Sequence, residues 1–131
     1  MPNFDLVLRN CNLINEYSIS QVDIAIKDKR IEKISSTISE RAIKEIDVNG
    51  KNVAPGVIDD QVHFREPGLT KKGEIKTESL AALYGGITST MDMPNVSPAS
   101  TTLDLLEERF QLAKEKSWTN YSFYLGATPD N

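Results

Sequence analysis

The 131-residue sequence predicts an α/β protein with an all-β unit first and alternating strands and helices after it. Two observations indicate this. Short alternating apolar segments fill roughly the first fifty residues, and strands then alternate with amphipathic helices after Pro55-Gly56. The second pattern, βαβαβ, is typical of a parallel sheet or a (β/α) barrel. A complete (β/α)8 barrel takes roughly 250 residues, so we expect one truncated after about three strands.

The first predicted unit, residues 1–54, consists of short strands. Val22, Ile24 and Ile26 alternate with smaller or charged residues, which is the two-residue period of a half-buried strand. Residues 27–30 predict a hairpin, and Asn49-Gly50 is a strong turn signal. We expect a small β-sandwich-like unit with strands at 4–9, 22–27, 30–34 and around 46–48.

The second predicted unit, residues 55–131, contains three strands and two helices. The first helix ends at Gly85-Gly86, and Thr101 with Asp104 predicts the start of the second. An apolar face is expected on the second helix, formed by Leu103, Leu106, Phe110 and Ala113. The predicted strands are 57–64, 87–93 and 121–125, and the predicted helices are 74–84 and 102–116.

Composition excludes several classes of function. The net charge of -4 comes from 19 acidic and 15 basic residues without a long run of either sign, which argues against a nucleic-acid surface. The sequence has neither a membrane-spanning apolar run nor the start of a signal peptide, so we expect a cytoplasmic protein with no membrane partner. Cys11 is the single cysteine, and its apolar neighbours predict a buried, unreactive thiol.

The first predicted parallel strand carries polar side chains at its carboxyl end. Alternate residues of a strand share a face, and the carboxyl ends of parallel strands are where α/β active sites are built. The next strand leads into Met91-Asp92-Met93-Pro94-Asn95, which brings further polar groups to the same edge. The predicted polar face consists of Asp59, Gln61, His63 and Arg65, while Asp60, Val62 and Phe64 point to the opposite side.

Three of these polar residues also have an ordinary structural explanation. A lone histidine such as His63 is usually a surface or structural residue, and Arg65 could form an exposed salt bridge. Asn95 could serve only as a turn residue beside proline. The sequence has no glycine-rich phosphate loop and no CxxC metal pattern, so nucleotide binding is not indicated.

The segment from Pro55 to Gly68, PGVIDDQVHFREPG, resembles the dihydroorotase signature, in which a PG pair precedes an IDxHxHFREPG motif. The later segments Gly85-Gly86-Ile87-Thr88 and Met93-Pro94-Asn95 are also similar to that family. The resemblance spans essentially the whole chain in the family's order. It implies a metal-dependent (β/α)8 barrel, a TIM barrel, preceded by a β-sandwich.

The resemblance also implies roles for the polar residues. His63 would bind zinc, Asp59 would support the metal site, and Arg65 and Asn95 would bind the substrate carboxylate. Gln61 stands where the family has the first histidine of HxH, and a neutral amide is a weaker zinc ligand than imidazole. The family's other ligands and its proton-shuttling aspartate fall after residue 131, so we expect no catalytic residue within this chain.

These implications predict a zinc-dependent dihydroorotase, which interconverts dihydroorotate and N-carbamoyl-L-aspartate in pyrimidine biosynthesis. We expect the 131 residues alone to be inactive. One alternative is a catalytically silent subunit that supports aspartate carbamoyltransferase, and another is a sister enzyme such as a dihydropyrimidinase or allantoinase. The protein partners expected are a second copy of the chain or aspartate carbamoyltransferase.

Overall fold

In the computed structural model, which describes residues 2–131, the chain divides into two compact units between Pro55 and Gly56. The first unit is built on a five-stranded sheet, and the second on a three-stranded sheet with two helices. The fold is therefore α/β, as the sequence predicts. No helix within the described range is long and apolar enough to cross a membrane.

The sheet of the first unit has the strand order β3-β2-β1-β4, and β5 also pairs with β1. Strands β1, β2 and β3 are joined by antiparallel hairpins, whereas β4 and β5 run parallel to β1. Residues 2–55 form this single layer, so the second layer of a sandwich remains a prediction. The strands are β1 (Phe4–Asn15), β2 (Ser18–Lys27), β3 (Arg30–Ser35), β4 (Ala42–Asp47) and β5 (Asn52–Val53).

Turns in this unit require the left-handed backbone region. The predicted hairpin is present, with Asp28 and Lys29 at φ values of 49° and 63° between the paired Lys27 and Arg30. Asn49-Gly50 also turns, but it joins β4 to β5 rather than two antiparallel strands. A further hairpin between β1 and β2 uses Glu16-Tyr17, which lacks the Asn-Gly or Asp-Gly signal and was not predicted.

A buried carboxylate stabilises the centre of the first unit. Asp23 is 7% exposed, and its Oδ2 lies 2.8 Å from Nη1 of Arg9. The backbone N–H groups of Asn10 and Ile38 also donate to this carboxylate, each at 3.1 Å. The apolar core beside it contains Phe4, Val7, Ala25 and Ile38, and Cys11 is fully buried, as predicted.

The second unit alternates strands and helices, and its sheet is parallel with the order β6-β7-β8. Its core consists of Val62, Phe64, Ile75 and Ala113, with Leu112, Tyr121 and Phe123 packed against them. The elements are β6 (Val57–Val62), α1 (Ile75–Tyr84), β7 (Ile87–Asp92), α2 (Leu103–Lys116) and β8 (Asn120–Phe123).

The start and the buried face of α2 differ from the prediction. Thr102, not Thr101, is the N-cap residue, and its hydroxyl accepts the backbone N–H of Leu105 at 3.4 Å. The cap moves by one position because the helix begins at Leu103. Leu103 was expected on the apolar face but is 75% exposed, whereas Arg109 is fully buried on that helix.

Candidate functional site

The candidate site lies where β6 and β7 end. Strand β6 was predicted to reach residue 64 but ends at Val62, because Val62 pairs with Asp92, the last residue of β7. His63 and Arg65 therefore lie in the loop after the strand. The predicted sidedness holds in part, since Val62 and Phe64 are buried while Gln61 and His63 are exposed.

His63 and Asn95 are in direct contact across the two loops. Nδ1 of His63 lies 2.9 Å from Oδ1 of Asn95. An amide oxygen only accepts hydrogen bonds, so with this partner the imidazole carries its proton on Nδ1. The lone pair of Nε2 is then free to accept a hydrogen bond or bind a metal ion.

Arg65 contacts the same loop through its guanidinium. Its Nη1 donates to the backbone carbonyl of Asn95 at 3.4 Å, a long hydrogen bond. Among the described residues, no acidic side chain lies within ion-pair distance of Arg65, so the exposed salt bridge considered above does not form. This bond to Asn95 is the only hydrogen bond of the guanidinium within residues 2–131, so its other donors have no partner there.

The backbone of Arg65 is strained. Its φ of 66° lies in the left-handed region, which costs a residue with a side chain on the order of 1–2 kcal/mol. Such a conformation persists only where the surroundings fix it, and it is common at functional sites. The groups that hold the neighbouring backbone therefore matter for where this guanidinium points.

The structure does not bring the other two predicted residues into this contact. The carboxylate of Asp59 accepts the backbone N–H of Gln61 at 3.1 Å, which is a local turn within β6. Among residues 2–131, the side-chain amide of Gln61 has no hydrogen bond to His63, Arg65 or Asn95. The roles of Asp59 and Gln61 remain predictions.

A buried ion pair lies directly beneath the site. Arg109 is 0% exposed and Asp92 is 2% exposed, and Nη2 of Arg109 lies 2.5 Å from Oδ2 of Asp92. The other oxygen of Asp92 accepts the backbone N–H of Phe64 at 3.2 Å. The guanidinium also stacks on the ring of Phe123, with 4.3 Å from its carbon to the ring centroid.

Burial perturbs both members of this pair. Loss of solvation raises the pKa of Asp92, although the charge of Arg109 opposes the shift. Loss of solvation likewise lowers the pKa of Arg109 against the attraction of Asp92. Burial thus disfavours both charged forms, which is the expected behaviour of an ion pair that adds little to net stability.

Glu66 anchors the loop on the other side of Arg65. This carboxylate is 5% exposed, forms an ion pair with Lys116 and accepts the backbone N–H of Ile75 at 3.0 Å. It thereby satisfies a free N–H at the start of α1, where the N-cap residue Glu74 makes no side-chain hydrogen bond. The loop is thus held between a strand end and two helix ends.

The described residues do not by themselves make a zinc site. His63 offers one suitable nitrogen, oriented by Asn95 as metal-binding histidines are oriented by a second residue. Within residues 2–131, however, no three His, Cys, Asp or Glu side chains are grouped closely enough to hold a metal ion. Gln61 offers only a neutral amide at the neighbouring position, which is a weaker zinc ligand than imidazole.

Sequence reasoning missed Arg109 and Glu66 and gave Asp92 no role. A signal for Arg109 exists, because it lies one turn before Ala113 and three residues after Leu106 on the predicted apolar face. A charged residue in that position needs a buried partner. The sequence has no comparable signal for the contact between Glu66 and α1.

Fold and site together define an α/β protein with polar loops at the carboxyl ends of parallel strands, the arrangement of α/β enzymes. Residues 50–128 match the family described as dihydro-orotase-like. The chain belongs to this family of cyclic amidohydrolases.

Curated relatives carry three different enzyme names. The chain is 38% identical over 112 residues to a dihydroorotase of Fusobacterium nucleatum, covering 86% of this chain and 26% of the relative. It is 35% identical over 130 residues to an L-hydantoinase of Paenarthrobacter aurescens, covering 98% of this chain and 28% of the relative. An allantoinase of Desulfitobacterium hafniense is 36% identical over 132 residues, covering 100% of this chain and 29% of the relative.

Solved structures give the same family. The L-hydantoinase (dihydropyrimidinase) from Arthrobacter aurescens superposes with a TM-score of 0.91 at 35% identity, covering 96% of this chain and 28% of that one. A D-hydantoinase from a Thermus species gives a TM-score of 0.72 at 30% identity, covering 93% and 27%. The chain therefore spans less than a third of the length of these relatives.

Proposed function

We propose that the protein hydrolyses or closes a cyclic amide whose ring carries a carboxylate, with dihydroorotate and N-carbamoyl-L-aspartate as the substrate pair. The observation behind this proposal is the placement of Arg65, Asn95 and His63 together at the ends of two adjacent parallel strands. The family to which the chain belongs includes dihydroorotases, hydantoinases and allantoinases by name. Because these names differ in substrate, the choice among substrates is argued from the residues of the site.

A substrate carboxylate suits this site because the guanidinium of Arg65 is available to pair with it. A planar guanidinium matches the two oxygens of a carboxylate, and this one has no acidic partner in the described part of the chain. Asn95 adds a side-chain amide beside it. A substrate held by its carboxylate would present its ring amide in one orientation, which lowers the entropic barrier to reaction.

His63 lies at the same loop junction and would face the reacting end of the ring. Its Nε2 lone pair is free, because Nδ1 is paired with Asn95. Zinc belongs to this proposal as the metal that the family resemblance implies, with His63 as one ligand and Asp59 as support. Gln61 would be a weak ligand or none at all.

Two structural proposals accompany this function. The parallel β6-β7-β8 sheet with its two helices has the topology of the first part of a (β/α)8 barrel. The single sheet of the first unit would supply one layer of a β-sandwich. On this proposal most of the barrel is missing from the 131 residues, so the chain alone would be inactive.

A sister cyclic amidase is the second candidate, favoured by the TM-score of 0.91 to an L-hydantoinase. Unsubstituted hydantoin has no carboxylate, so Arg65 would have no charged group to bind in such an enzyme. A silent subunit for aspartate carbamoyltransferase is the third candidate, motivated by Gln61. Such a subunit would bind its partner protein but turn over no cyclic amide.

The test compares Arg65→Gln and Arg65→Lys in the intact protein encoded by the natural gene, with dihydroorotate and hydantoin as substrates. We expect Arg65→Gln to raise the KM for dihydroorotate at least tenfold, which corresponds to about 1.4 kcal/mol. Arg65→Lys should restore part of that loss, because it keeps the charge but not the planar fork. Turnover of hydantoin should change little in either variant.

Different results identify the alternatives. Efficient hydantoin turnover with no use of dihydroorotate would favour the sister enzyme. Absence of turnover for both substrates, together with binding to aspartate carbamoyltransferase, would favour the silent subunit. Asn95→Asp is a further control, since it keeps an oxygen for His63 but places a negative charge beside the expected carboxylate, and it should weaken dihydroorotate binding.

A further inference from the structure

We propose that the buried pair Asp92–Arg109 is a positioning device that sets the relative placement of the two loops carrying His63, Arg65 and Asn95. The inference rests on the proposed function only where it concerns ligand binding. The loop-anchoring part stands on the contacts alone.

The first loop is held through Asp92. One oxygen of this carboxylate accepts the backbone N–H of Phe64, the residue between His63 and Arg65. This hydrogen bond holds the peptide between His63 and Phe64, which lies directly after His63 and one residue before Arg65. Phe64 is itself 8% exposed and packed in the core, so the backbone is held by both its side chain and its N–H.

The second loop is held through Arg109, which contacts it at both ends. Nη1 of Arg109 donates to the backbone carbonyl of Met93 at 3.1 Å, two residues before Asn95. The same nitrogen lies 3.2 Å from the hydroxyl of Ser100, where the loop leads towards α2. One guanidinium therefore bridges the beginning and the end of the segment that contains Asn95.

The ion pair joins the two halves of this device. Nη2 of Arg109 binds Oδ2 of Asp92. The loop after β6 and the loop after β7 are therefore both held by the same buried ion pair. Nε of Arg109 is buried and has no hydrogen-bond partner among the described residues. The pair therefore connects Phe64 in the first loop with Met93 and Ser100 in the second.

The test uses the double variant Asp92→Leu/Arg109→Met, which removes both charges and so leaves no unpaired buried charge, and which also removes the oxygen that accepts the Phe64 N–H. Lys114→Met is the matched control, an exposed basic residue on the same helix. In the 131-residue chain, we expect the Phe64 amide to exchange with solvent at least tenfold faster in the double variant, with amides of α1 unchanged. Uniformly faster exchange throughout the second unit would mean a purely structural role and would overturn the proposal.

A second measurement uses the intact protein. We expect the double variant to raise the KM for dihydroorotate about tenfold, and to change the KM for hydantoin much less. The single variant Arg109→Lys should raise the KM for dihydroorotate less than the double variant does, because lysine keeps a buried positive charge opposite Asp92. Faster Phe64 exchange with an unchanged KM for dihydroorotate would overturn the positioning role.

If the unmodified protein uses no dihydroorotate, the proposed function fails, and the exchange measurement still decides whether the pair anchors the loops. If the Asp92→Leu/Arg109→Met variant does not fold, Asp92→Asn/Arg109→Met replaces it, which also leaves no unpaired buried charge but keeps an oxygen for the Phe64 N–H. The Phe64 amide should then stay protected, while the amides of Val96 and Ser100, in the loop that Arg109 holds, exchange at least tenfold faster. Unchanged exchange of Val96 and Ser100 in this folded variant would reject the anchoring role.

Discussion

The carboxylate of Glu66 accepts the backbone N–H of Ile75 at 3.0 Å, so a residue nine positions before helix α1 serves as its cap. The second carboxylate oxygen pairs with Lys116 at the end of α2. Negative charge near a helix N-terminus and positive charge near a C-terminus both match the helix dipole. One side chain therefore connects the site loop to the ends of two helices.

This relationship predicts a stability loss in Glu66→Ala. Removing the carboxylate leaves the N–H of Ile75 without its acceptor, so we expect a decrease of about 2 kcal/mol in the free energy of unfolding of the second unit. Glu66→Gln should lose roughly half as much, because it keeps an acceptor oxygen. Urea denaturation followed by the fluorescence of the single tryptophan, Trp118, reports on this unit. Glu108→Ala, an exposed change on α2, is the control, and a loss as large as that of Glu66→Ala would contradict the capping role.

Gly68 predicts a second stability effect. Its φ is +82°, and a Cβ there would collide with the backbone carbonyl of Ser97 in the loop that contains Asn95. Gly50 has a similar φ of +70° with open space around it, so it provides a control for backbone conformation alone. We expect Gly50→Ala to cost about 1 kcal/mol. Gly68→Ala should cost roughly a further 1–3 kcal/mol through overpacking.

The free energy of unfolding of each glycine variant is measured by following the amide signals of each unit during denaturation. Equal losses for Gly50→Ala and Gly68→Ala would show that the close approach of Ser97 does not require glycine. A larger loss for Gly68→Ala, together with shifted signals from Asn95, would show that the two site loops pack directly against each other.

Asp23 predicts how the first unit responds to acid. Burial alone would raise the pKa of this carboxyl, but hydrogen bonds from Arg9, Asn10 and Ile38 outweigh burial and lower it. A carboxyl with a lowered pKa in the folded state stabilises the protein fully above its unfolded pKa of about 3.9. The contribution is lost as the pH falls from there through the folded pKa. We therefore expect the free energy of unfolding of the first unit to decrease in that range.

Asp23→Asn isolates this contribution. The variant should be less stable than the original at pH 7, and the difference should shrink as the pH falls below about 4. Denaturation followed by the amide signals of Val7 and Ala25 gives the stability of this unit at each pH. Glu32→Gln, an exposed change on β3, is the control. A difference that stays constant with pH would show that the charge of Asp23 is not the source.

Gln61 predicts how the protein binds metal. If the proposed zinc site exists in the intact protein, Gln61→His should raise zinc affinity at least tenfold, because imidazole is a stronger ligand than a neutral amide. Zinc titration followed by calorimetry measures this directly and does not depend on activity. Gln21→His adds a histidine to the first unit as the control. Equal effects of the two changes would mean that residue 61 does not face the metal.

The sequence alone determined the order of the strands and helices and most of the turns, but not the hairpin at Glu16-Tyr17. Strand alternation, turns and helix ends each depend on a few neighbouring residues, so the sequence alone indicates them. Examples are the turn at Pro55-Gly56 and the helix end at Gly85-Gly86. The same local information placed His63 and Arg65 at the carboxyl end of a first parallel strand predicted to reach residue 64, although that strand ends at Val62. It placed Asn95 after the next strand, and the structure brings the three together.

Only the tertiary structure decided which groups hold the site in place. The contact of Arg109 with Asp92 joins residues 17 positions apart, and that of Lys116 with Glu66 joins residues 50 apart. Such pairs depend on how α2 packs on the sheet. The spacing of apolar residues along the sequence does not show which acidic residue a buried arginine or lysine will contact. The end of β6 at Val62 also depends on a distant segment, because the strand stops where its partner β7 ends at Asp92.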